Sequence, residues 1–303
     1  MSTPSDMDPK DTKRALVWFL GLTFGLSWPL FLAPVVLGGV IPAGPQIIAM
    51  AAWSLAMLMP GVSALITNTY VMERELRGLN LGRLGPKRYY LWAWLLPIAL
   101  AVVALLFTAL VGTGRLDPEL TVLREGMEAL PAQETIPAWA IMALQIVGSL
   151  LFGPIINTIF ALGEELGWRG YLLPKLLPLG MWRAILLSGA IWGVWHAPAI
   201  AQGHNYPGQP VLGILMMVIL SLLLGTILSW VYLETRSPWA PALAHGSFNA
   251  AAALPLLFLE PGVDIVWGGT LASPPAWIGM ALFIAWLVFT GRLPRHESQP
   301  RAS

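Results

Sequence analysis

Three short polar clusters interrupt otherwise apolar stretches of this sequence. A charged side chain near the centre of a bilayer costs about 2.5–3.5 kcal/mol even on a lenient insertion scale, so such residues are candidates for catalysis, ion binding or proton transfer. Their side chains are carboxylates, a guanidinium, imidazoles, an indole and an amide. The clusters are Glu164, Glu165 and Arg169, then Trp192 and His196, and then His245 and Asn249.

The two adjacent acids are expected to have different roles. On a helix, Glu165 and Arg169 are four residues apart with the acid first, which is the favourable order for an ion pair. Glu164 is rotated by about 100° from Glu165 and cannot share the same arginine equally well. We therefore predict that Glu165 and Arg169 neutralise each other, while the Glu164 carboxylate faces a cavity and is available as a general base. The alternative places both acids in a loop at the level of the lipid headgroups.

The two histidines of the clusters each share a helix face with a second polar or aromatic group. Trp192 lies four residues before His196, and Asn249 lies four residues after His245. Either histidine alone could be a structural group in a core. Together with Glu164 they predict a polar chamber that is built from three different helices.

Three chemistries fit such a chamber. In the first, Glu164 and His196 activate a water molecule, while His245 and Asn249 donate hydrogen bonds to the oxyanion of an acyl transfer. In the second, Glu164, His196 and His245 bind a metal such as zinc, with water in the open position. In the third, the same groups relay protons or ions in a transporter. The spacing contains no H-E-x-x-H motif and does not choose among them.

The elements that carry these clusters must lie in a membrane. The 303 residues are 56% hydrophobic and only 11% charged, against about 25% charged residues in soluble domains. Apolar runs of about 20 residues predict membrane-spanning helices, because backbone groups in lipid must be paired within their own segment. The runs lie at about 15–37, 46–70, 90–112, 140–162, 184–201, 211–233, 240–258 and 275–290.

We therefore predict an all-α, polytopic protein with about eight transmembrane helices in one integral membrane domain, 1–303, with a motif-bearing core at about 138–258. The net charge of +1 argues against nucleic-acid binding, and the absence of cysteine excludes a thiol nucleophile and thiolate metal sites. The first run is longer than a signal-peptide core and is interpreted as a retained helix. Frequent Gly and Ala in the spans fit packing within one chain as well as dimerisation.

The distribution of basic residues predicts the orientation. With both termini in the cytoplasm, all of the 17 Lys and Arg residues except Arg115 and Arg124 fall on the cytoplasmic side, which follows the positive-inside rule. The outer loop at about 113–137 contains Asp117-Pro118, interpreted as a helix cap followed by the first helical residue. Four apolar residues then recur at helical spacing and predict a short amphipathic helix on the outer surface. They are Leu120, Leu123, Met127 and Leu130.

The depth of the clusters sets a condition on the fourth helix. His196 lies well inside the fifth run, whereas Glu164 falls close to the inner end of the fourth. The two can converge only if the fourth helix continues past Arg169, to about Leu177, and we expect a break or kink at Pro154.

At these residues the sequence resembles a known family. The three motifs are similar to those of the CAAX prenyl protease type 2 group, in the CAAX protease and bacteriocin-processing (CPBP) family of intramembrane proteases. They are Glu164-Glu165-x-x-x-Arg169, an aromatic-x-x-x-His ending at His196, and His245-x-x-x-Asn249. The second motif usually begins with Phe, and here Trp192 takes that place, which leaves the chemistry intact and changes the shape of the substrate pocket.

The resemblance implies an eight-helix intramembrane endopeptidase in the plasma membrane, with a cytoplasm-facing cavity and a membrane-associated or lipidated peptide substrate. It implies that Glu164 activates water with His196 as its partner, that His245 and Asn249 stabilise the oxyanion, and that Glu165 and Arg169 are structural. No cofactor is required in this interpretation, and a zinc-dependent version is the alternative. The chain could also be a non-catalytic membrane partner or immunity protein, or a proton-coupled transporter.

Overall fold

The computed structural model describes residues 9–37, 45–128 and 138–293, which are almost entirely helical. Within these ranges the β pairing is confined to an isolated bridge between Leu116 and Leu259. The predicted all-α membrane class is confirmed. The helices are α1 (Pro9–Leu37), α2 (Pro45–Ile66), α3 (Arg88–Leu110), α4 (Thr121–Glu128), α5 (Ala138–Val147), α6 (Gly153–Glu165), α7 (Leu173–Leu176), α8 (Met181–Trp195), α9 (Ala197–Ala201), α10 (Pro210–Thr235), α11 (Trp239–Ala251) and α12 (Pro274–Phe289).

Helix length separates the predicted spans into two groups. The seventh predicted run yields α11, whose 13 residues measure about 20 Å at 1.5 Å per residue, less than the roughly 30 Å of a bilayer core. The fifth and eighth runs also yield shorter helices, so the count of eight spans stays a prediction. In the part of the chain that the structure describes, the segments long and apolar enough to cross a membrane are Lys10–Leu37, Ile47–Val71, Arg88–Leu110, Trp139–Leu179 and Pro210–Thr235.

The fourth span is one long helical segment that carries the acidic cluster in its interior. It runs from Trp139 to Leu179, which confirms that the helix continues past Arg169. Two π-helical stretches interrupt its α-helical geometry, one at Gly148–Phe152, two residues before Pro154, and one at Leu166–Leu172, directly after Glu165. Stretches of this kind are frequent at functional sites, and the second one contains Arg169.

Close backbone approaches hold the motif-bearing helices against their neighbours. Gly163 of α6 lies against α2 so tightly that an added Cβ would be 2.6 Å from the Cα of Leu58. Gly193 of α8 lies equally close to α10, where an added Cβ would be 2.6 Å from the Cα of Val218. Helix α11 also packs on α6, where Gly246 lies against the backbone of Thr158. The three polar clusters are therefore brought together by α6, α8 and α11.

The helices connect two opposite ends of the bundle. At one end the Trp239 indole donates a 2.8 Å hydrogen bond to the Leu81 carbonyl; we call this the basic end because the Lys- and Arg-rich connections meet there. At the other, the distal end, the Gln202 amide donates to the Phe31 carbonyl at 2.8 Å. Helix α10, with 26 residues and a length of about 39 Å, joins the two. The distal end contains residues 111–120, 202–209 and 252–273.

The predicted surface helix is present, but it begins later than expected. Helix α4 starts at Thr121, so the prediction of a cap at Asp117 followed by a helical Pro118 is wrong. The Asp117 carboxylate instead accepts backbone N–H bonds from Glu119 at 2.9 Å and Thr121 at 2.5 Å. It thereby satisfies an N–H group at the helix start across an intervening turn. Leu130, which belongs to the predicted apolar pattern, lies outside the described residues.

Candidate active site

All four predicted catalytic residues line one cavity of about 780 Å³. Helix α6 supplies Glu164, α8 and its end supply Trp192 and His196, and α11 supplies the remaining two, His245 and Asn249. The predicted polar chamber, built from three helices, therefore exists within the described part of the chain. Asn157, a polar residue in the same span, does not line this cavity. Its side-chain amide donates a 2.9 Å hydrogen bond to the Gly153 carbonyl.

Glu164 lies inside a helix, with its carboxylate at the wall of the cavity. It belongs to α6 together with Glu165, and both side chains are buried, so the alternative of a loop at the headgroups is wrong. One carboxylate oxygen, Oε2, accepts a 2.7 Å hydrogen bond from the Trp192 indole N–H. Hydrogen bonds to an ionised carboxylate are about twice as strong as neutral ones. This bond fixes the carboxylate and leaves Oε1 for a second partner.

The second acid of the pair, Glu165, contacts both Arg169 and His245. Arg169 Nη1 donates to Glu165 Oε1 at 2.8 Å, and the side chains are 1% and 0% exposed, respectively, which confirms the predicted ion pair. The same oxygen is 3.0 Å from His245 Nδ1. Because the carboxylate can only accept, the Nδ1 hydrogen of His245 points to Glu165 and the Nε2 atom is left for another contact. Sequence spacing did not indicate this link.

His196 occupies a break between two helices. Helix α8 ends at Trp195, α9 begins at Ala197, and the His196 N–H bonds back to Gly193 in a tighter turn. Pro198 has no N–H to continue the α-helical ladder, which accounts for the break. The Trp192 carbonyl accepts a 2.9 Å bond from His196 Nδ1. The imidazole therefore has its hydrogen on Nδ1 and a lone pair on Nε2.

Trp192 contacts three of the polar side chains of the site, Glu164, Arg169 and His245. Besides its bond to Glu164, its ring lies under the Arg169 guanidinium, with Cζ 4.4 Å from the ring centroid. The same ring meets His245 edge to face, with centroids 5.3 Å apart. A phenylalanine would keep these ring contacts and lose the N–H donor. The sequence departure therefore changes a hydrogen bond to the proposed base as well as the shape of the pocket.

Comparisons with known proteins match the same part of the chain. Residues 139–251 match the sequence model of a family described as Type II CAAX prenyl endopeptidase Rce1-like. A stretch of 78 residues is 33% identical to CAAX prenyl protease 2 of Methanococcus maripaludis and covers 24% of this chain and 29% of that relative. The resemblance to the CPBP family is confirmed. The matched CPBP-like region holds all three motifs and overlaps the predicted core at about 138–258.

The CPBP-like site does not provide the predicted metal ligands as a set. Within the described residues, no group of three His, Asp or Glu side chains is placed to hold a metal ion. The Nδ1 atoms of His196 and His245 contact a carbonyl and a carboxylate, respectively, so any ligand bond would have to come from their Nε2 atoms. Among the described residues, Glu164, His196 and His245 are therefore not gathered as the three-ligand group expected for the zinc-dependent alternative.

The part of the cavity near the distal end was not predicted from the sequence. From Glu164 the lining continues to Trp53, Gln202 and His204 at the distal end. His204, in the turn after α9, packs edge to face on Trp53 with ring centroids 5.0 Å apart. Nothing in the local sequence indicates this placement, because it depends on how the 202–209 turn folds over α2.

The structure makes two predictions of orientation mutually exclusive. The cavity lining reaches the distal end. The first residue of α1 and the last residue of α12 lie toward the basic end. Pro9 precedes Phe31 by 22 helical residues, about 33 Å along the axis. Termini in the cytoplasm, predicted from charge, and a cavity facing the cytoplasm, implied by the family resemblance, cannot both hold.

Proposed function

We propose that this protein is an intramembrane endopeptidase that hydrolyses a peptide bond near the membrane surface. The CPBP-like region supports a protease, and the matched relative is named a CAAX prenyl protease. The substrate class is a membrane-associated polypeptide, with a prenylated protein as the form suggested by the relative's name. The proposal needs no metal, and its location in the plasma membrane stays a prediction.

One observation carries the proposal. The Arg169 guanidinium donates to Glu165, while the adjacent Glu164 carboxylate lies at the cavity wall, held only at Oε2 by Trp192. A buried acid serving solely as a structural counter-ion would be expected to bind the arginine itself. A carboxylate with one oxygen fixed and the other directed to a chamber is suited to bind and deprotonate water.

The chemical step follows from the two facing groups. A water molecule bound between Glu164 Oε1 and His196 Nε2 loses a proton to Glu164 as its oxygen attacks the peptide carbonyl carbon. The carbonyl electrons move onto the oxygen and form a tetrahedral intermediate. The C–N bond then breaks, and the proton held by Glu164 passes to the departing amine. A carboxylic acid and an amine are the products.

The developing oxyanion requires hydrogen-bond donors on the other side of the cavity. His245 already directs Nδ1–H to Glu165, so it donates from Nε2 only as an imidazolium. The Glu165 carboxylate beside it stabilises that charge. Asn249 follows one turn later on α11 and lines the same cavity, where its amide can supply a second donor. Loss of one such donor typically costs 10²–10³-fold in rate.

The decisive experiment uses purified protein and a quenched prenylated peptide. We expect Glu164→Gln, which keeps a partner for the Trp192 indole and removes the base, to lower cleavage by at least about 100-fold. Glu260→Gln, in an exposed distal loop, is the matched control and should cleave like the parent protein. Equal cleavage by Glu164→Gln and the parent would exclude Glu164 from the mechanism.

Two further measurements separate the competing functions. Cleavage that continues in the presence of a strong zinc chelator excludes an essential exchangeable metal. Proton-coupled uptake by vesicles in the absence of peptide cleavage would favour the transporter, and folded protein without either activity would favour a non-catalytic partner.

A further inference from the structure

We propose that the basic end of the bundle carries a binding site for an anionic phosphate group, of the kind that a phospholipid headgroup presents. The site is formed by Arg74, Tyr171 and Lys175, none of which lines the catalytic cavity. The proposed hydrolysis uses none of these residues, so the inference goes beyond the proposed function and does not rest on it.

Lys175 has its charge placed against an aromatic ring and not against an acid. Its ammonium nitrogen lies 3.3 Å from the centroid of the Tyr171 ring, which is a cation–π contact. The side chain is only partly exposed. Within the described part of the chain, the ion pairs join Arg124 to Glu119, and Arg169 and His245 to Glu165. No carboxylate of the described residues therefore neutralises Lys175.

Arg74 adds a second positive charge to the same place. It lies in the connection after α2 and is exposed, and its guanidinium is close enough to act electrostatically on both Tyr171 and Lys175. Its sequence neighbours Glu73 and Glu75 form no ion pair with it among the described residues. Two neighbouring cations repel each other, and an anion that binds to both relieves this repulsion.

The Tyr171 hydroxyl is a second and independent indication of a ligand. Tyr171 is 1% exposed, and its hydroxyl has no hydrogen-bond partner among the described residues. Buried hydroxyls are nearly always hydrogen-bonded in proteins. The ring is fixed from the other side by Phe19 of α1, with centroids 5.0 Å apart. The hydroxyl is therefore held close to the two cations, where an anion can accept its hydrogen bond.

The chemistry of the cluster matches a phosphate group. A phosphate has enough acceptor oxygens to bind a guanidinium through two of them and to accept hydrogen bonds from an ammonium and a hydroxyl. Lys175 lies four residues before Leu179, where the fourth span ends, which is the level of the lipid headgroups. Basic pockets between transmembrane helices bind anionic headgroups at this level.

The test measures lipid binding by the delipidated full-length protein in detergent. Native mass spectrometry counts the bound lipid, and the thermal unfolding midpoint reports its effect. We expect phosphatidylglycerol to bind the parent more tightly than phosphatidylcholine, whose headgroup has no net charge. Lys175→Gln should weaken binding of phosphatidylglycerol by about fivefold. Lys87→Gln, which changes an exposed lysine at the same end, is the matched control and should bind like the parent.

Two further variants keep the test informative if Lys175→Gln does not fold. Tyr171→Phe keeps the ring under Lys175 and removes only the hydroxyl, so it should fold like the parent and bind phosphatidylglycerol more weakly. Arg74→Gln changes an exposed side chain and should also weaken binding. Binding by these variants that equals binding by Lys87→Gln overturns the inference, and so does phosphatidylcholine bound as tightly as phosphatidylglycerol.

Inorganic phosphate distinguishes the two sources of the ligand. For a headgroup site, free phosphate should leave the unfolding midpoint and the bound phosphatidylglycerol unchanged. Free phosphate that raises the midpoint of the parent but not of Lys175→Gln, and that displaces the lipid, would assign the site to a soluble phosphate compound. Neither experiment measures peptide cleavage, so a negative result here leaves the peptidase proposal intact.

Discussion

At the scale of single residues, the site depends on how three charged side chains are divided among their partners. Glu165 is hydrogen-bonded to Arg169 and His245, and Glu164 accepts a hydrogen bond from the indole of Trp192. If His245 is an imidazolium, the four groups carry two negative and two positive charges and are neutral as a set. Neutrality limits the cost of burying them together, since an unpaired ion in the interior costs several kcal/mol.

Trp192→Phe tests the indole as a positioning group. The ring contacts remain, while the Glu164 carboxylate loses a hydrogen bond worth about 1.5–3 kcal/mol for a charged acceptor. We expect kcat to fall about 10- to 100-fold with KM nearly unchanged, because the bond orients the base and does not contact substrate. The control is Trp230→Phe, since the Trp230 indole N–H has no hydrogen-bond partner. A rise in KM at constant kcat would assign Trp192 to substrate binding instead.

Arg169→Met tests the buried ion pair. It leaves Glu165 without its guanidinium, and breaking a buried pair typically costs about 3–5 kcal/mol. We expect a clear fall in the midpoint of thermal unfolding in detergent. The double variant Glu165→Gln with Arg169→Met removes both charges and should regain most of the loss. If the double variant is as unstable as the single one, the stacking of Arg169 on Trp192 is the larger contribution.

At the scale of elements, the position of Glu164 depends on how closely α6 approaches α2. Gly163→Ala would place a Cβ 2.6 Å from the Cα of Leu58, and backbone atoms cannot yield as a flexible side chain would. We expect a loss of about 1–3 kcal/mol, as for other overpacked contacts, together with reduced peptidase activity. The unfolding midpoint and the cleavage rate are measured on the same preparation.

The matched control for this change lies in the same span. Gly148→Ala adds the same methyl group at a position with no neighbouring atom within 4 Å of the added Cβ. It should leave activity unchanged. Equal losses in both variants would mean that helix propensity in the π-helical span decides the outcome and not the contact with α2.

The start of α4 depends on an ionised carboxylate. Bonds from the Thr121 backbone N–H, and then from other groups including the Glu119 N–H, hold the pKa of the Asp117 carboxyl below its usual range. A lowered pKa stabilises the fold above the unfolded-state value, and this contribution is lost as the pH falls through the folded-state value. We expect hydrogen exchange at Thr121 to be faster in Asp117→Asn than in the parent at pH 6, and the difference to shrink as acidification protonates Asp117 below the usual range of an aspartate carboxyl. A difference that persists in acid would contradict this role.

At the scale of the whole molecule, the membrane class and the polar residues that line the cavity could both be predicted from the sequence, for the same physical reason. Buried charge is costly, so the few ionisable residues within apolar runs identify the chamber, and Glu164, His196 and His245 line it as expected. The ion pair of Glu165 with Arg169 followed from helical spacing alone.

The exact ends of some helices and their local irregularities could not be predicted, because a long apolar stretch is compatible with helix at every position. Ala251, where α11 ends, is followed by two further alanines, so the sequence does not mark that end. The π-helical stretch at Leu166–Leu172 differs from an α-helix only in its hydrogen-bond register, which residue types do not indicate. The break at His196 could have been inferred from Pro198, which lacks the required N–H. The bond from Trp192 to Glu164 depends on side-chain rotamers and the crossing of α6 and α8, which spacing within either helix does not determine.

The size of the cavity limits the conformation in which any polypeptide can occupy it. Its volume of about 780 Å³ is in the range of small-molecule pockets, whereas a helix with side chains is 10–12 Å wide. A helical membrane segment must therefore unwind before its carbonyl reaches Glu164, and it loses internal hydrogen bonds that lipid cannot replace. The ease of local unwinding, favoured by glycine or proline beside the cleaved bond, would then contribute to the choice of substrate as much as side-chain recognition.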